Sequence, residues 1–247
     1  MKTIRTYYKE HIERNKKMKR WISGILGLLV LLSVIVFIRT YNAIMKPNTM
    51  ITNDSEVSLY IHSDDDFETI KNKLYSDSVI INRRSFEWLA KKLDYPKYIK
   101  SGHYVIKDGM NNNQLLNMLR SGNQIPIDFT FNNIRTIEQF AKEADDQLEL
   151  DSLSILKALN EDSLLKEMGF KKESFASLFI PNTYELYWNI NPKDFIEKMT
   201  NEYKKFWNDT RLQKAKEINL TPIEVSILAS IVDKETTKAS EMSRIAG

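Results

Sequence analysis

An uncharged apolar run from Trp21 to Ile38, WISGILGLLVLLSVIVFI, constrains this chain more than any other feature. As a helix, a run of this length crosses roughly 30 Å of hydrocarbon. The alternative is a cleaved signal peptide, but the apolar part of a signal peptide is usually shorter and leads into small residues, whereas RTY follows here. The run therefore predicts a retained transmembrane helix over 21–38.

The basic residues of the chain are concentrated before this run. Residues 1–20 contain eight Lys and Arg and two Glu, a net charge of +6. Because the formal net charge of the whole chain is +3, the remainder has a net charge of −3. Positive flanks stay on the cytoplasmic side of a membrane. The pattern predicts a cytoplasmic tail over 1–20, a single-pass protein of the inner (plasma) membrane and a periplasmic or extracytoplasmic body. The body lacks a basic patch with interleaved aromatic residues, which argues against a nucleic-acid partner.

The composition excludes several kinds of chemistry. The chain has no Cys, which removes disulfides, zinc–thiolate sites, iron–sulfur clusters and cysteine nucleophiles. The three His residues, His11, His62 and His103, lie far apart without ligand spacing, so we expect no metal site and no cofactor. Hydrophobic residues make up 42% and charged residues 28% of the chain, which is typical of a globular protein with a folded core.

The sequence after the apolar run divides into a linker and two folded parts. Residues 39–56 have no period and contain Pro, Asn, Asp and Ser, which predicts a linker. Residues 57–122 contain strands and helices in the order β-α-α-β-α, which predicts a small α+β module. One of its helices places three apolar residues at helical spacing: Phe67, Ile70 and Leu74. Gly122 is the expected end of its last helix.

Residues 123–247 predict a second, mixed α/β domain, so the fold class of the whole chain is α+β. The strand IPIDFTF precedes a helix that begins at Thr136, and short helices are expected over 151–168. The stretch FASLFIPNTYELYW is the least regular apolar segment of the chain. PKDFIEKMTNEYKKFWND then has the spacing of an amphipathic helix.

The last strong element is the helix that begins in TPIEVSILASIVDKET. Thr221 is a good N-cap, and Pro222 occupies the first helical position, where its missing N–H has no cost. Glu224 completes a capping box. These three residues fix the start of the helix.

Helical periodicity separates the two acids of this segment. Advancing about 100° per residue places Glu235 inside an apolar arc, whereas Asp233 joins a small polar face. The arc is formed by Ile223, Ile227, Leu228, Ile231 and Val232. An acid in apolar surroundings favours its neutral form, as general-acid cleavage of a glycosidic bond requires. The alternative is that the helix ends before Glu235 and the carboxylate points to water.

These features together resemble the membrane-anchored endolytic murein transglycosylases, the YceG-like or MltG family. The resemblance extends over nearly the whole chain and is carried by SGHYVIKDGMNNNQLLNMLRSG, NNIRTIEQFA, LFIPNTYEL and LTPIEVSILASIVDKET, of which the last two are the specific motifs. It implies that 57–122 is similar to the LysM-like domain of that family, which is thought to contact glycan strands. It also implies that the transglycosylase domain, 123–247, is incomplete, because family members continue well beyond SEMSRIAG.

The resemblance implies an enzyme, a lyase that cleaves between N-acetylmuramic acid and N-acetylglucosamine in peptidoglycan and leaves 1,6-anhydro ends during cell wall assembly. A single glutamate acts as acid and then as base, without metal or cofactor. The family motif is close to SIVEKET and this chain has SIVDKET, so we expect Glu235 to be catalytic and Asp233 to orient or contact substrate. We also expect Asn182, Tyr184 and Glu185 to contact substrate, although the family more often has aspartate at position 182. A Pro-Asn turn and a packed tyrosine would explain the same residues without a substrate.

Two other functions fit the same sequence. A non-catalytic membrane anchor could bind peptidoglycan through 57–122, near the peptidoglycan synthases that are the expected protein partners. A water-using muramidase would leave reducing-end sugars in place of anhydro ends. The role of Glu235 separates the first of these from a transglycosylase, and the mass of the products separates the second.

Overall fold

The computed structural model describes residues 4–52, 55–132, 134, 136–159, 172–236 and 238–247. The fold is mixed α+β, and the strands described form two small two-stranded sheets, β1 with β2 and β3 with β4. The strands are β1 (Glu56–Ile61), β2 (Gly102–Lys107), β3 (Ile127–Phe131) and β4 (Asn182–Leu186). The helices are α1 (Ile4–Met45), α2 (Phe67–Ser76), α3 (Arg83–Lys92), α4 (Asn112–Ser121), α5 (Ile137–Gln147), α6 (Ser152–Leu159), α7 (Pro192–Phe206), α8 (Asp209–Glu217), α9 (Pro222–Glu235) and α10 (Ala239–Ile245). Short 3₁₀ helices lie at Tyr95–Lys97 and Lys172–Leu178.

The chain folds into two compact units. The first unit takes the described residues up to 59 together with 66–100 and 105–123. The second unit takes 60–65, 101–104 and the described residues from 124 onwards. The β-α-α-β-α order expected for 57–122 is present as β1, α2, α3, β2 and α4.

Helix α1 contains the apolar run. Its part from Trp21 to Met45 is long and apolar enough to cross a membrane, and it contains an 18-residue window with a mean hydropathy of 2.7, none of which is buried inside the protein. The helix continues past Ile38, where the charge-free run ends. The apolar surface of this helix is therefore available to lipid.

The segment 39–56 differs from the irregular linker expected from its composition. It is helical as far as Met45, and Asn48 and Thr49 are buried. Isolated bridges pair Pro47 with Asn111 and Thr49 with Ile80. Composition suggested a loop because Asn and Pro disfavour regular structure. Here, however, the side chains of Asn48 and Thr49 form hydrogen bonds with distant residues of the first unit.

A buried carboxamide joins three helices of the first unit. Asn112 Nδ2, at the start of α4, donates to the carbonyl oxygen of Ala43 in α1 at 2.8 Å and to Ser85 Oγ in α3 at 3.0 Å. Asn112 Oδ1 accepts from Asn48 Nδ2 at 2.7 Å, and Asn48 Oδ1 accepts from the amide of Asn82 at 2.7 Å. These bonds connect residues of α1, α3 and α4 through one buried side chain, so the network fixes the end of α1 against α3 and α4.

Helices α2, α3 and α4 of the first unit begin at capped residues, and α4 ends at Gly122 as predicted. Asp66 caps α2 by accepting from the amide of Thr69, and the three apolar residues predicted for this helix are buried. A capping box between Asn111 and Gln114 starts α4. Gly122 ends α4 with φ of 72°, a left-handed conformation that favours glycine.

The second unit is built around an antiparallel pair of strands. β3 and β4 pair with Phe129 opposite Tyr184. The inner face of this sheet packs on a hydrophobic core that is rich in phenylalanine: Phe129, Phe131, Phe140, Phe175, Phe179 and Phe195. Strand β4 lies in the segment that the sequence left irregular, and it is held in place by a partner about fifty residues away in the chain.

The predicted helices of the second unit begin at capped residues. Thr136 accepts from the amide of Gln139 at the start of α5, and Asn191 accepts from the amide of Asp194 at the start of α7. Of the short helices expected over 151–168, α6 is observed, and the part from residue 160 onwards lies outside the described residues.

The Asn112 network yields a stability prediction. Asn112→Ala should lower the free energy of unfolding by about 2 to 4 kcal/mol, because the carbonyl of Ala43 loses its Asn112 donor and the buried Asn48 side-chain amide keeps only its bond to the Asn82 carbonyl. Asn113→Ala is the matched control, since its side chain accepts one bond from Asn117 at 3.0 Å on the helix surface. Denaturant unfolding of the full-length protein in detergent micelles, followed by tryptophan fluorescence, measures both. Equal losses in the two variants would contradict the role of the network.

Candidate functional site

Helix α9 carries the two candidate acids and is fixed firmly at its start. The Thr221 hydroxyl accepts from the amide of Glu224 at 3.3 Å, and Glu224 Oε2 accepts from the amide of Thr221 at 2.7 Å. Pro222 occupies the first position of the helix. The reciprocal bonds fix where α9 begins, and the helix then runs to Glu235, so the alternative of an earlier helix end does not hold.

The apolar arc that periodicity predicted on α9 is only partly covered. Val232 is buried, but Ile227 and Ile231 are 48% and 51% exposed, and Glu235 is exposed as well. Glu235 therefore shares a face with the two isoleucines, as predicted, but that face is open to solvent. Helix α9 contacts the Lys172–Leu178 3₁₀ helix, α8 and α10, and Ile223 at its start packs against the core of the second unit. These contacts leave the part of the arc that holds Ile227 and Ile231 uncovered.

The turn after α9 is held by side-chain hydrogen bonds. The Thr236 hydroxyl donates to Glu241 Oε2 at 3.0 Å and accepts from the amide of Lys238 at 3.1 Å. Thr236 is buried, whereas Asp233 and Glu235 are exposed and form no hydrogen bond or ion pair within the described part of the chain. These bonds join the residue after α9 to the start of α10, and they leave both carboxylates available to a ligand.

Tyr184 lies in the core of the second unit. It is 6% exposed and stacks on Phe131 with ring centroids 5.7 Å apart, and its hydroxyl donates to the carbonyl oxygen of Ile180. Burial, with a smaller contribution from the charge of Glu202, raises the pKa of Tyr184 to about 12. The hydroxyl therefore stays protonated near neutral pH, and its described partner is the Ile180 carbonyl.

Asn182 and Glu185, the other two candidate residues of β4, are both exposed. Asn182 Oδ1 accepts from the amide of Thr183 at 2.9 Å. Because side chains alternate along a strand, Asn182 and Tyr184 belong to one face of the sheet and Glu185 to the other. The three residues do not share one surface, so they cannot all line the same side of a cleft.

Sequence reasoning missed an acidic pair on the outer face of the β3–β4 sheet. Asp128 lies directly opposite Glu185, and the neighbouring Thr130 and Thr183 hydroxyls are 2.8 Å apart. Like charges in opposite positions destabilise a sheet. The alternation in IPIDFTF placed Asp128 on an exposed face, but its partner could not be found without the strand register.

The arrangement supports acid–base chemistry by single carboxylates. Glu235 and Asp233 lie at the end of α9. Glu185 and Asp128 lie on the outer face of the β3–β4 sheet. Across the described residues, no group of three or more His, Asp or Glu side chains could hold a metal ion. A carboxylate at a fixed helix end can donate and accept a proton without one.

The sequence profile of the YceG-like family matches residues 59–247, which include β4 and both acids of α9. The chain belongs to the YceG-like family. A crystal structure of a YceG-like protein from Listeria monocytogenes is similar to this chain, with a TM-score of 0.45 and 17% sequence identity, over 76% of this chain and 67% of that one. No curated protein matches the chain.

The position of Tyr184 yields a prediction that separates packing from substrate contact. Tyr184→Phe should lower the free energy of unfolding by about 1 kcal/mol, because the Ile180 carbonyl loses its donor. Tyr187→Phe is the control, since Tyr187 is 53% exposed, and it should leave stability unchanged. Denaturant unfolding measures both. Loss of glycan binding with unchanged stability would instead show that the Tyr184 hydroxyl contacts substrate.

The opposed acids yield a second prediction. Asp128→Asn should raise the free energy of unfolding by about 0.2 to 1 kcal/mol, because it removes the repulsion from Glu185. A double-mutant cycle with Glu185→Gln should show that the two gains are not additive. Additive gains, or a gain that persists in 1 M salt, would mean that the two charges do not interact.

Proposed function

We propose that this protein is a membrane-anchored lytic transglycosylase that cleaves peptidoglycan glycan strands between N-acetylmuramic acid and N-acetylglucosamine during cell wall assembly. The observation that carries the proposal is the family match over residues 59–247. That range includes the SIVDKET segment at the end of α9, which is similar to the catalytic motif of the family. In this proposal Glu235 is the acid and base, and Asp233 orients or contacts the substrate.

The reaction needs one carboxyl group and an internal nucleophile. Protonated Glu235 donates its proton to the glycosidic oxygen, the bond from that oxygen to muramic C1 breaks, and the N-acetylglucosamine end leaves with a hydroxyl. The resulting Glu235 carboxylate accepts the proton of the muramic 6-hydroxyl as that oxygen bonds to C1. The glutamate is protonated again and the product carries a 1,6-anhydro ring. Hydrolytic glycosidases need two carboxylates at a set separation, whereas here the substrate supplies the nucleophile.

The exposed face of α9 supports this role. Ile227 and Ile231 leave an apolar strip beside Glu235. A glycan strand lying over this strip would displace water from the isoleucines and from the carboxyl group together. Removing water from a carboxyl group favours its neutral form, which is the form that donates the proton. In this account the substrate, and not the folded chain alone, provides the apolar surroundings.

The proposal includes a membrane location. Helix α1 is long and apolar enough to span a bilayer between Trp21 and Met45. The basic residues before this segment favour a cytoplasmic N-terminus, so the two folded units would lie outside the plasma membrane beside the wall. The β-α-α-β part of the first unit is the proposed LysM-like contact with glycan strands, and peptidoglycan synthases are the proposed protein partners.

One observation favours a second candidate function. The exposure of Glu235 is also what a non-catalytic protein would show, because a carboxylate without a functional role usually lies in solvent. In that case the protein would anchor peptidoglycan to the membrane without cutting it. The two functions differ in whether Glu235 is required for product release.

The test is the effect of Glu235→Gln on product release from purified glycan strands. The variant should lower the yield of anhydro-ended products by more than about 100-fold, because the amide can neither donate nor accept the proton. Glu217→Gln on α8 is the control and should keep the full yield. Mass spectrometry of the products measures the yield and identifies the ends.

Three results would change the assignment. Full yield in Glu235→Gln with loss in Asp233→Asn would move the catalytic role to Asp233. Products heavier by one water would identify a muramidase. No product from the wild-type protein, with glycan binding retained, would support the anchor function.

A further inference from the structure

The first unit contains an open groove with a volume of about 690 Å³. It lies between the loop that follows the Tyr95–Lys97 turn and the C-terminal half of α4. Its lining includes an aromatic ring, two cations and three carboxamides: Tyr98, Lys100, Arg120, Gln114, Asn117 and Asn123. None of the residues that line it is acidic. All of the charge in the groove is therefore positive, and it lies beside neutral hydrogen-bonding groups and an aromatic ring.

The fold holds Lys100 in place across the end of α4. Lys100 Nζ donates to the carbonyl oxygen of Ser121 at 3.1 Å. The side chain crosses Gly122, where a Cβ atom would lie 2.7 Å from Lys100 Cδ. The glycine therefore has two roles: it ends the helix and leaves room for the lysine stem.

Arg120 is held by the aromatic ring of the same groove. Its guanidinium carbon lies 5.1 Å from the centre of the Tyr98 ring, within the range of a cation–π contact. Within the described residues Arg120 has no carboxylate at ion-pair distance. Stacking limits the rotamers of the arginine, so less entropy is lost when its planar donors bind an acid.

The neutral groups of the groove indicate what carries the acid. Gln114, Asn117 and Asn123 are exposed, and carboxamides can both donate to and accept from hydroxyl and acetamido groups. Tyr98 is 51% exposed, so part of its ring is available to the apolar face of a sugar. A polyol phosphate chain would use the two cations but would gain little from the ring and the amides.

We propose that this groove binds an acidic saccharide, with Arg120 and Lys100 on its carboxylate and the carboxamides on its hydroxyl and acetamido groups. The proposal rests on the proposed function in one respect, because the muramic acid of a glycan strand carries a lactyl carboxylate of this kind wherever the stem peptide is absent. It adds that the first unit selects glycan by charge. Since both cations are exposed, the selection weakens as salt rises.

Calorimetric titration of the full-length Glu235→Gln protein in nanodiscs of zwitterionic lipid tests the proposal. The probe is the disaccharide of N-acetylglucosamine and N-acetylmuramic acid with a free lactyl carboxylate, compared with its methyl ester and with neutral chitotetraose. The free acid should bind roughly tenfold more tightly than its ester. Arg120→Gln and Lys100→Gln should each reduce this preference, and the double variant should remove it.

The control variant is Lys92→Gln, an exposed lysine of α3 that does not line the groove, and it should keep the full preference. Equal binding of the acid and its ester, or a preference that survives the double variant, would overturn the proposal. Tighter binding of a glycerol phosphate polymer than of the disaccharide would overturn its saccharide part. The titration measures binding without catalysis, so the two proposals can fail separately. Equal binding of acid and ester in the titration, together with anhydro-ended products from the wild-type protein, would reject this groove and leave the proposed function standing.

Discussion

The carboxamide of Asn112 is the interaction on which the arrangement of the first unit depends. It donates hydrogen bonds to the carbonyl of Ala43 at the end of α1 and to the hydroxyl of Ser85 in α3, and it accepts one from the side-chain amide of Asn48. A buried network of this kind is stable only when every member is paired. It therefore fixes the start of α4. The other end of α4 forms one side of the groove that contains Lys100 and Arg120.

Much of the helical structure could be predicted because its signals are local. Thr221, Pro222 and Glu224 fixed the start of α9 through bonds between residues three apart, and Gly122 fixed the end of α4 through its own backbone angle. The apolar run of α1 needs no partner within the protein to be recognised. Each of these features is decided by neighbouring residues, which a sequence displays directly.

The candidate site depended on contacts that the sequence does not display. Strand β4 exists because β3 pairs with it, and that register placed Tyr184 in the core and Glu185 opposite Asp128. On α9, periodicity grouped Glu235 with Ile227 and Ile231 correctly. Which part of the arc is covered is set by the tertiary neighbours of the helix, and these cover Val232 and pack on Ile223 but leave Ile227 and Ile231 exposed. Helical periodicity can therefore group side chains without saying whether their shared face is buried.

The continuity of α1 has a mechanical consequence. The helix is about 63 Å long at 1.5 Å per residue, and its last turn is bonded to Asn112. A spanning helix adjusts to a thinner bilayer by tilting. In the proposed membrane-anchored protein, the lipid-facing part and the bonded turn belong to one continuous helix. A tilt of that helix would then reorient the first unit, so bilayer thickness would affect the direction in which this unit points.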